Sequence, residues 1–457
     1  MKTISKLLAL ALAVILGLGL IAPVMADTDA SNKNDDATKP GEYFGTSVFF
    51  DKNFIVPGSA TTVPKKDFTF TLEPVSGTTG TDKITAYPGV LTGVSVTGDD
   101  ITQTNQGTPD VTSISIKASF AGNETLNNAN AAAGIGATGE KYATKTFEID
   151  FSGVTFPTDK PGVYRYKLTE TAGSNDGITY STTVYFIDVY VEYEYIGNGD
   201  PTTDTDPTHW SDTLTIANII VTKGEGSTAT APTVTDDQTT NTDKVNASQS
   251  TTTKDGSTSD ADFNNPIAYV DLELEKQVTG NQGSHTDYFE FTVKITGLAG
   301  TYTISGGSYN GDPTSITIPN TADGKGEATV TLHLKKGDKI TIEDLIYGTA
   351  YVITEKDYTG TNGGYTTTAT GSMANPEYDE SDAQDPEYNT PATIDPGSYA
   401  DRVYTGTSLT GDTTVTFTNN RAGLIPTGVL LVIAPFALLT LVGVAGVVVI
   451  TLKKKRG

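Results

Sequence analysis

The sequence predicts an all-β protein built from more than one module, and three observations support this. The chain has 457 residues, too many for one ordinary β-domain. Gly (47) and Tyr (22) are plentiful, and apolar side chains alternate with polar ones at a period of two rather than at a helical period. The segments "GVYRYKLTETAG" and "GTAYVITEKDYTG" also look like two copies of one element. A two-fold internal repeat of β-domains is therefore the predicted organisation.

The two ends of the chain carry export signals. Lys2 and Lys6 precede the apolar run "LLALALAVILGLGLIA", and small residues follow up to Ala26, which predicts a signal peptide over 1–26. The apolar stretch 429–452 is long enough to cross a bilayer, and the basic tail 453–457 would hold its cytoplasmic side.

Strand-like alternation divides the rest of the chain. A polar leader over 27–42 is predicted to be flexible, and strands then follow in an N-terminal domain over 43–266 and a C-terminal domain over 267–421. The stretch 224–262 has almost no large apolar residue, so we expect it to be a flexible, low-complexity insertion.

Charge and composition argue against several classes of function. The net charge is −25, and it becomes −31 without the terminal segments, because 24 basic residues then face 55 acidic ones. Such a surface repels phosphate, so nucleic acid is not expected as a partner. Cysteine is absent, and the three histidines are widely scattered, so no metal site and no cofactor are predicted. Carboxylate pairs or triads that would suit a secreted hydrolase are not evident.

Three polar residues occupy apolar faces in the C-terminal domain. In "DLELEKQV", Lys276 shares its face with Leu272, Leu274 and Val278. By the same period, Glu355 in "AYVITEK" and Asn419 in "TVTFTNN" point inward. An unpaired buried ammonium costs several kcal/mol or loses its proton, so a compensating partner is expected.

The N-terminal domain repeats this pattern. Lys52 in "SVFFDKNFIV", Glu170 in "YRYKLTE" and Asn265 in "ADFNNPI" are in phase with apolar neighbours. Asn264 is a rival to Asn265, and phase with Phe263 favours Asn265.

These motifs resemble those of major shaft pilins of Gram-positive bacteria, of the streptococcal T-antigen type. The resemblance is carried by the lysine in "LELEKQVTG", the glutamate in "YVITE" and the asparagine in "FTN". It implies tandem immunoglobulin-like, Cna-B-type β-sandwich domains with intramolecular Lys–Asn isopeptide bonds. The implied cross-links are Lys52–Asn265 and Lys276–Asn419, with Glu170 and Glu355 as proton shuttles, so that the only catalysis would be autocatalytic.

The implied reaction is chemically reasonable for these residue types. In an apolar core a lysine tends to lose its proton and a carboxyl tends to keep one. A neutral amine can attack the side-chain carbonyl of Asn419 and expel ammonia, and a protonated carboxyl can polarise that carbonyl. Amides are poor electrophiles, so the fold must supply a high effective concentration.

The segment "LIPTG" (424–428) directly precedes the predicted membrane helix and resembles a sortase sorting signal. It differs from the commonest form, Leu-Pro-x-Thr-Gly, because Pro426 is third. A sortase, of class C or of the housekeeping type, would cleave between Thr427 and Gly428. It would join Thr427 to a lysine of the next subunit or to peptidoglycan. Lys254 is the predicted acceptor, with Lys223 and Lys244 as alternatives.

The sequence therefore predicts a pilus shaft subunit on the Gram-positive cell surface. Its expected partners are sortase, other copies of itself, peptidoglycan, minor pilins and host surface ligands. A monomeric wall-anchored adhesin and a tip or minor pilin are the alternatives.

Overall fold

The computed structural model describes most of the region between the two termini. The described residues are 42–43, 45–76, 85–104, 111–131, 134–173, 177–198, 205–225, 245, 247, 261–322, 324–373 and 397–423. The predicted signal peptide, sorting motif, membrane segment and basic tail lie outside them, as does nearly all of the predicted leader. No helix within the described ranges is long and apolar enough to cross a membrane.

Thirteen strands are described in the first module. They are β1 (Glu42–Tyr43), β2 (Ser47–Val56), β3 (Lys66–Pro74), β4 (Ala86–Pro88), β5 (Ser95–Thr97), β6 (Ile101–Thr104), β7 (Ile114–Phe120), β8 (Asn127–Asn128), β9 (Lys141–Asp150), β10 (Gly162–Glu170), β11 (Thr183–Tyr195), β12 (Trp210–Glu225) and β13 (Asp262–Pro266). One sheet has the order β1-β12-β11-β10-β3-β7-β6, with β4 added beside β10. The other has the order β13-β2-β9-β5, with β8 beside β9.

In the described part of the second module there are eleven strands. They are β14 (Tyr269–Thr279), β15 (Phe289–Leu298), β16 (Gly300–Gly306), β17 (Ser315–Ile318), β18 (Lys325–Leu334), β19 (Lys339–Ile346), β20 (Ala350–Glu355), β21 (Thr366–Met373), β22 (Gly397–Ala400), β23 (Val403–Gly406) and β24 (Thr413–Asn420). A six-stranded sheet, β17-β16-β19-β14-β24-β21, accompanies a five-stranded sheet, β18-β15-β20-β23-β22. Two single 3₁₀ turns lie at Pro207–His209 and Gly360–Asn362, and no residue of the described ranges is in an α-helix. The all-β prediction is confirmed.

Side-chain alternation explains why these segments form strands. In β7 every second residue is buried, and β14 shows the same pattern from Val270 to Val278. Successive side chains of a strand point to opposite faces, so each segment presents one apolar face to a core. The buried side chains gather into one large cluster in each module, around Phe50 and Phe147 in the first and around Phe291 and Phe417 in the second.

In each module a strand near the start lies beside the last strand and runs parallel to it. β2 pairs with β13, and β14 pairs with β24. Parallel neighbours cannot be joined by a short hairpin, and here nearly the whole module separates them in sequence. This pairing brings the two ends of each module side by side.

The stretch 224–262 is more structured at its edges and in part of its interior than the sequence predicted. β12 continues to Glu225 and β13 begins at Asp262. Val245 and Ala247 are buried in the first core, where Val245 N–H donates to Val221 O and Ala247 O accepts from Phe49 N–H. These two small apolar residues gain burial and backbone partners that a purely polar insertion would not have.

The junction between the modules is short and tightly packed. Only Ile267 and Ala268 separate β13 from β14, and Ile346 of the second module packs in the first core. Gly177 has φ +72°, and a Cβ at this position would clash with the ring of Tyr347. The close approach across the junction therefore requires glycine here.

Two buried lysine, glutamate and asparagine triads

The second module holds Lys276, Glu355 and Asn419 together inside its core. Lys276 lies on β14 and Asn419 on the neighbouring β24, whereas Glu355 ends β20 in the facing sheet. All three are buried, with exposures of 0%, 1% and 0% in the order Lys276, Glu355, Asn419. Lys276 Nζ lies 2.9 Å from Glu355 Oε1, and Asn419 Nδ2 donates to the same oxygen at 2.8 Å. One carboxylate oxygen thus contacts both nitrogens.

Two polar atoms of this triad have no hydrogen-bond partner within the described part of the chain. They are Glu355 Oε2 and Asn419 Oδ1, and the hydroxyl of Thr367 lies close enough to the Glu355 carboxylate to lower the pKa of that group. Thr367 lies directly opposite Asn419 in the β21–β24 ladder. Buried polar groups are normally paired, so this site has hydrogen-bonding capacity left over.

The first module holds an equivalent triad. Lys52 lies on β2 and Asn265 on the adjacent β13, and Glu170 ends β10 in the facing sheet. Lys52 Nζ contacts both carboxylate oxygens of Glu170, at 3.1 and 3.0 Å. Asn265 Nδ2 donates to Glu170 Oε1 at 2.5 Å, and Asn265 Oδ1 accepts from the backbone N–H of Ser181 at 2.9 Å.

Asn264 lies outside this triad. Its Oδ1 accepts from Asn53 Nδ2 at 2.9 Å, and its own Nδ2 donates to Gly134 O at 3.2 Å. Asn53 also accepts from Thr144 Oγ1 at 2.6 Å. These contacts hold Asn264 on the opposite face of β13, whereas the side chain of Asn265 faces Lys52, as the phase argument predicted.

The strand register is the same in both triads. Lys52 pairs with Phe263 across β2–β13, and Lys276 pairs with Phe417 across β14–β24. In each case the asparagine lies two positions beyond that phenylalanine, so it points to the same face as the lysine. Each lysine also donates to the carbonyl oxygen of its paired phenylalanine, at 3.4 Å in the first module and 3.5 Å in the second.

Aromatic rings line the two lysines. Lys52 Nζ is 4.3 Å from the centroid of the Phe68 ring, and Lys276 Nζ is 4.5 Å from that of Phe289. Sequence reasoning did not single out these rings, although the alternation in "KDFTFTLEP" places Phe68 on the core face of β3.

Burial shifts the ionisation of both pairs toward neutrality. It lowers the pKa of Lys52 and the pKa of Lys276 to about 8, against the opposing charge of the adjacent glutamate. It raises the pKa of Glu170 and the pKa of Glu355, against the opposing charge of the lysine and the hydrogen bonds to the carboxylate. Desolvation favours the uncharged form of each group, which is the form that a nucleophilic amine and an acidic proton donor require.

Of the remaining predicted site residues, Lys223 alone lies among the described residues. Lys223 lies on β12 and pairs with Tyr185 across β11–β12. Lys244, Lys254, Thr427 and Gly428 lie outside the described residues. Within the described ranges, no group of three or more histidine, aspartate or glutamate side chains could hold a metal ion.

Comparison with known proteins finds similarity to pilins. Residues 270–421 match the model of a domain of unknown function, DUF7601. A curated pilin from Streptococcus pyogenes serotype M1 is 26% identical over 427 residues, which cover 90% of this chain and 91% of that protein. The predicted resemblance to a streptococcal pilin is confirmed. The similarity to that pilin extends over 90% of this chain and therefore into both modules.

Solved structures of pilins are also similar. The major pilin T3.2 of Streptococcus pyogenes is 20% identical, with a TM-score of 0.48 and coverage of 83% of this chain and 99% of that one. The major pilin T-13 of the same organism is 19% identical, with a TM-score of 0.47 and coverage of 84% and 100%.

Proposed function

We propose that this chain is a structural pilus shaft subunit of a Gram-positive cell surface, cross-linked within each module by a Lys–Asn isopeptide bond. The observation that carries the proposal is the repetition of one buried triad, in one register, in both modules of a chain similar to a streptococcal pilin. A lone buried lysine could be a structural ion pair, but two ion pairs that each include a hydrogen-bonded asparagine amide suit covalent chemistry better.

The proposed reaction in the second module is an intramolecular aminolysis. The neutral Nζ of Lys276 attacks Cγ of Asn419, and the Cγ–Nδ2 bond breaks. Glu355 accepts a proton from the attacking amine and delivers one to the departing Nδ2, which leaves as ammonia. One amine and one primary amide thus give one secondary amide and one ammonia, with no oxidant or cofactor.

The position of the carboxyl group fits proton transfer between the two nitrogens. Glu355 Oε1 lies within 2.9 Å of both Lys276 Nζ and Asn419 Nδ2. Glu170 is placed in the same way in the first module. The sequence argument gave the carboxyl two roles, polarising the amide carbonyl and shuttling protons, and its contact with the amide nitrogen favours the shuttle.

The proposed bonds would protect a subunit that carries tension. The bonds tie β2 to β13 and β14 to β24, so a pulling force passes through the covalent link and not through the hydrogen-bonded interior. Each also closes a loop of more than a hundred residues, which stabilises the folded state by about 5 kcal/mol in the chain-entropy model. Both effects suit a pilus shaft.

Assembly would use the sorting signal. We propose that a sortase joins the Thr427 carbonyl to Lys254 of the next subunit, or to peptidoglycan at the base of the pilus. This places the chain in a covalent cell-wall polymer with other copies of itself and with minor pilins. Lys223 is the described alternative acceptor, and it lies in a strand rather than in the low-complexity stretch.

Mass measurement of the full chain tests the cross-links. The wild-type chain is expected to be lighter than its sequence mass by two ammonias. Lys52→Ala and Lys276→Ala should each be lighter by only one. A mass that equals the sum of the residues, after allowance for any terminal processing, would contradict both bonds.

Immunoblots of cell-wall extracts test the polymer. A ladder that survives hot detergent is expected, and it should collapse in Lys254→Arg but persist in Lys223→Arg. A single band in the wild-type strain would favour the wall-anchored adhesin instead.

A further inference from the structure

The segment between β10 and β11 is fastened to the end of β13, where Asn265 lies. Ile178 forms an isolated bridge with Ile267, and Thr179 N–H donates to Pro266 O at 2.9 Å. Ser181 N–H then donates to Asn265 Oδ1 at 2.9 Å, and it is also close enough to the Glu170 carboxylate to lower the pKa of that group. This segment therefore runs along residues 265–267 and holds a backbone donor at the amide oxygen.

The orientation of the Asn265 amide is fixed by contacts on both sides. Its Nδ2 donates to Glu170 Oε1, and its Oδ1 accepts from Ser181 N–H. A flipped amide would direct its NH₂ group at the Ser181 N–H and its oxygen at the carboxylate, so both contacts would be lost. The carbonyl oxygen is thus held at the backbone donor before any bond forms.

We propose that the backbone N–H of Ser181 is an oxyanion donor for the first-module cross-link, which stabilises the charge that develops on Asn265 Oδ1 as Lys52 attacks. This inference rests on the proposed Lys52–Asn265 bond. Attack on Cγ pushes the carbonyl electron pair onto Oδ1 and gives a tetrahedral intermediate. That pair then returns as the Cγ–Nδ2 bond breaks and ammonia leaves. A donor 2.7–3.1 Å from the developing oxyanion is the geometry that lowers such a barrier.

The second module provides a built-in comparison. Asn419 Oδ1 has no hydrogen-bond donor within the described part of the chain, although the rest of the triad matches the first module. A change at Ser181 should therefore alter the first reaction and leave the second unchanged. The bond between Lys276 and Asn419 serves as an internal control for synthesis, folding and digestion in the same molecules.

The test compares variants with and without the backbone N–H at position 181. Ser181→Pro removes the N–H, whereas Ser181→Ala keeps it and removes only the hydroxyl, which accepts from Thr183 N–H. A third variant carries an α-hydroxy acid at position 181, so that an ester oxygen replaces the N–H without the proline ring. The full chain is synthesised in a cell-free pulse and quenched at intervals. The joined peptides of each module are then quantified by mass spectrometry.

Loss of one oxyanion donor should slow the Lys52–Asn265 reaction by on the order of 100-fold in the proline and ester variants. Ser181→Ala should match the wild type, and the Lys276–Asn419 reaction should keep its rate in all chains. Equal rates in the wild type and the ester variant would overturn the role of Ser181, as would equal slowing in Ser181→Ala. A wild-type chain without the first-module bond would instead refute the proposed cross-link itself.

Discussion

Lys52 and Asn265 lie on adjacent parallel strands with a fixed offset, since Asn265 is two positions beyond Phe263, the residue paired with Lys52. Lys276 and Asn419 have the same offset from Phe417. Two positions along a strand restore the side-chain direction, so each asparagine faces its lysine. A shift of one residue would turn the asparagine out of the core.

The same rule predicts which asparagine of the first module reacts. Asn265→Ala should abolish the loss of ammonia from the first module, whereas Asn264→Ala should leave it complete. The reason is that Asn264 contacts Asn53 and Gly134 on the opposite face. Tandem mass spectrometry of the joined peptide checks this directly. A cross-link through Asn264 would contradict the observed register.

Alternation made the triads predictable from the sequence, because a period of two assigns each residue to one face without knowledge of the fold. It placed Lys52, Glu170 and Asn265 inward, and in the structure both Lys52 and Asn265 lie within hydrogen-bonding distance of Glu170. The Ser181 contact could not be predicted in this way. It uses a backbone N–H in an irregular segment, and almost every residue type has such a group, so the sequence does not indicate the contact.

The sequence pattern also could not predict which residues outside the core-facing sides of the strands are buried. Val245 and Ala247 lie in a stretch whose average composition is polar, so composition concealed their packing. Both faces of β2 are buried, including Asp51 and Asn53. Alternation predicts only which residues share a face, and the neighbours that cover the second face come from tertiary packing.

The rate of cross-link formation should follow a bell-shaped pH profile. The productive state carries one proton shared between Lys276 and Glu355. Below the raised pKa of Glu355 both groups hold protons, and above about pH 8 both have lost them. The rate should therefore rise as the pH passes the pKa of Glu355 and fall beyond about pH 8.

Pulse-labelled chains transferred to buffers of different pH provide the measurement, with the joined Lys276–Asn419 peptide as the readout. Glu355→Gln serves as the control and should give almost no product at any pH, since the amide cannot shuttle a proton. A rate that climbs without limit to pH 10 would show that a free amine alone suffices, and would contradict the assigned role of Glu355.

The buried ion pair of Arg165 and Asp188 should dominate the electrostatic stability of the first module. The two side chains pair in register across β10–β11, with two contacts of 2.6 Å and exposures of 0% and 3%. Burial raises the pKa of Asp188 against the opposing charge of Arg165. Arg165→Met leaves a buried carboxylate without its cation, so we expect a loss of about 3–5 kcal/mol in the free energy of unfolding.

Trp210 is the one tryptophan of the chain and lies in the first module, so its fluorescence during denaturant unfolding reports this loss. Replacing both partners, with Arg165→Met and Asp188→Leu, should restore most of the stability because no charge is then buried. The exposed pair of Lys117 and Asp67 is the control, and Lys117→Met should cost less than about 1 kcal/mol. Equal losses in the two single variants would contradict the assignment.

The unlinked second module should become more stable as the medium becomes alkaline. Asn419→Ala leaves Lys276 as a free amine, whose pKa is about 8 in the folded state because of burial, against 10.5 for an exposed lysine. Between these values the unfolded chain binds more protons than the folded one, so stability rises with pH. The full difference of 2.5 pKa units corresponds to about 3 kcal/mol. The raised pKa of Glu355 acts in a separate, lower window, where stability falls as the pH rises above 4.5.

Urea unfolding of Asn419→Ala at pH 8 and at pH 10.5, followed by circular dichroism, measures the gain. The double variant Lys276→Met with Asn419→Ala is the matched control, because it keeps the same cavity and lacks the titrating amine. The difference between the two variants should shrink by about 3 kcal/mol across this interval. A constant difference would mean that the Lys276 amine is no harder to protonate in the core than in water, and the free nucleophile on which the proposed cross-link depends would not form near neutral pH.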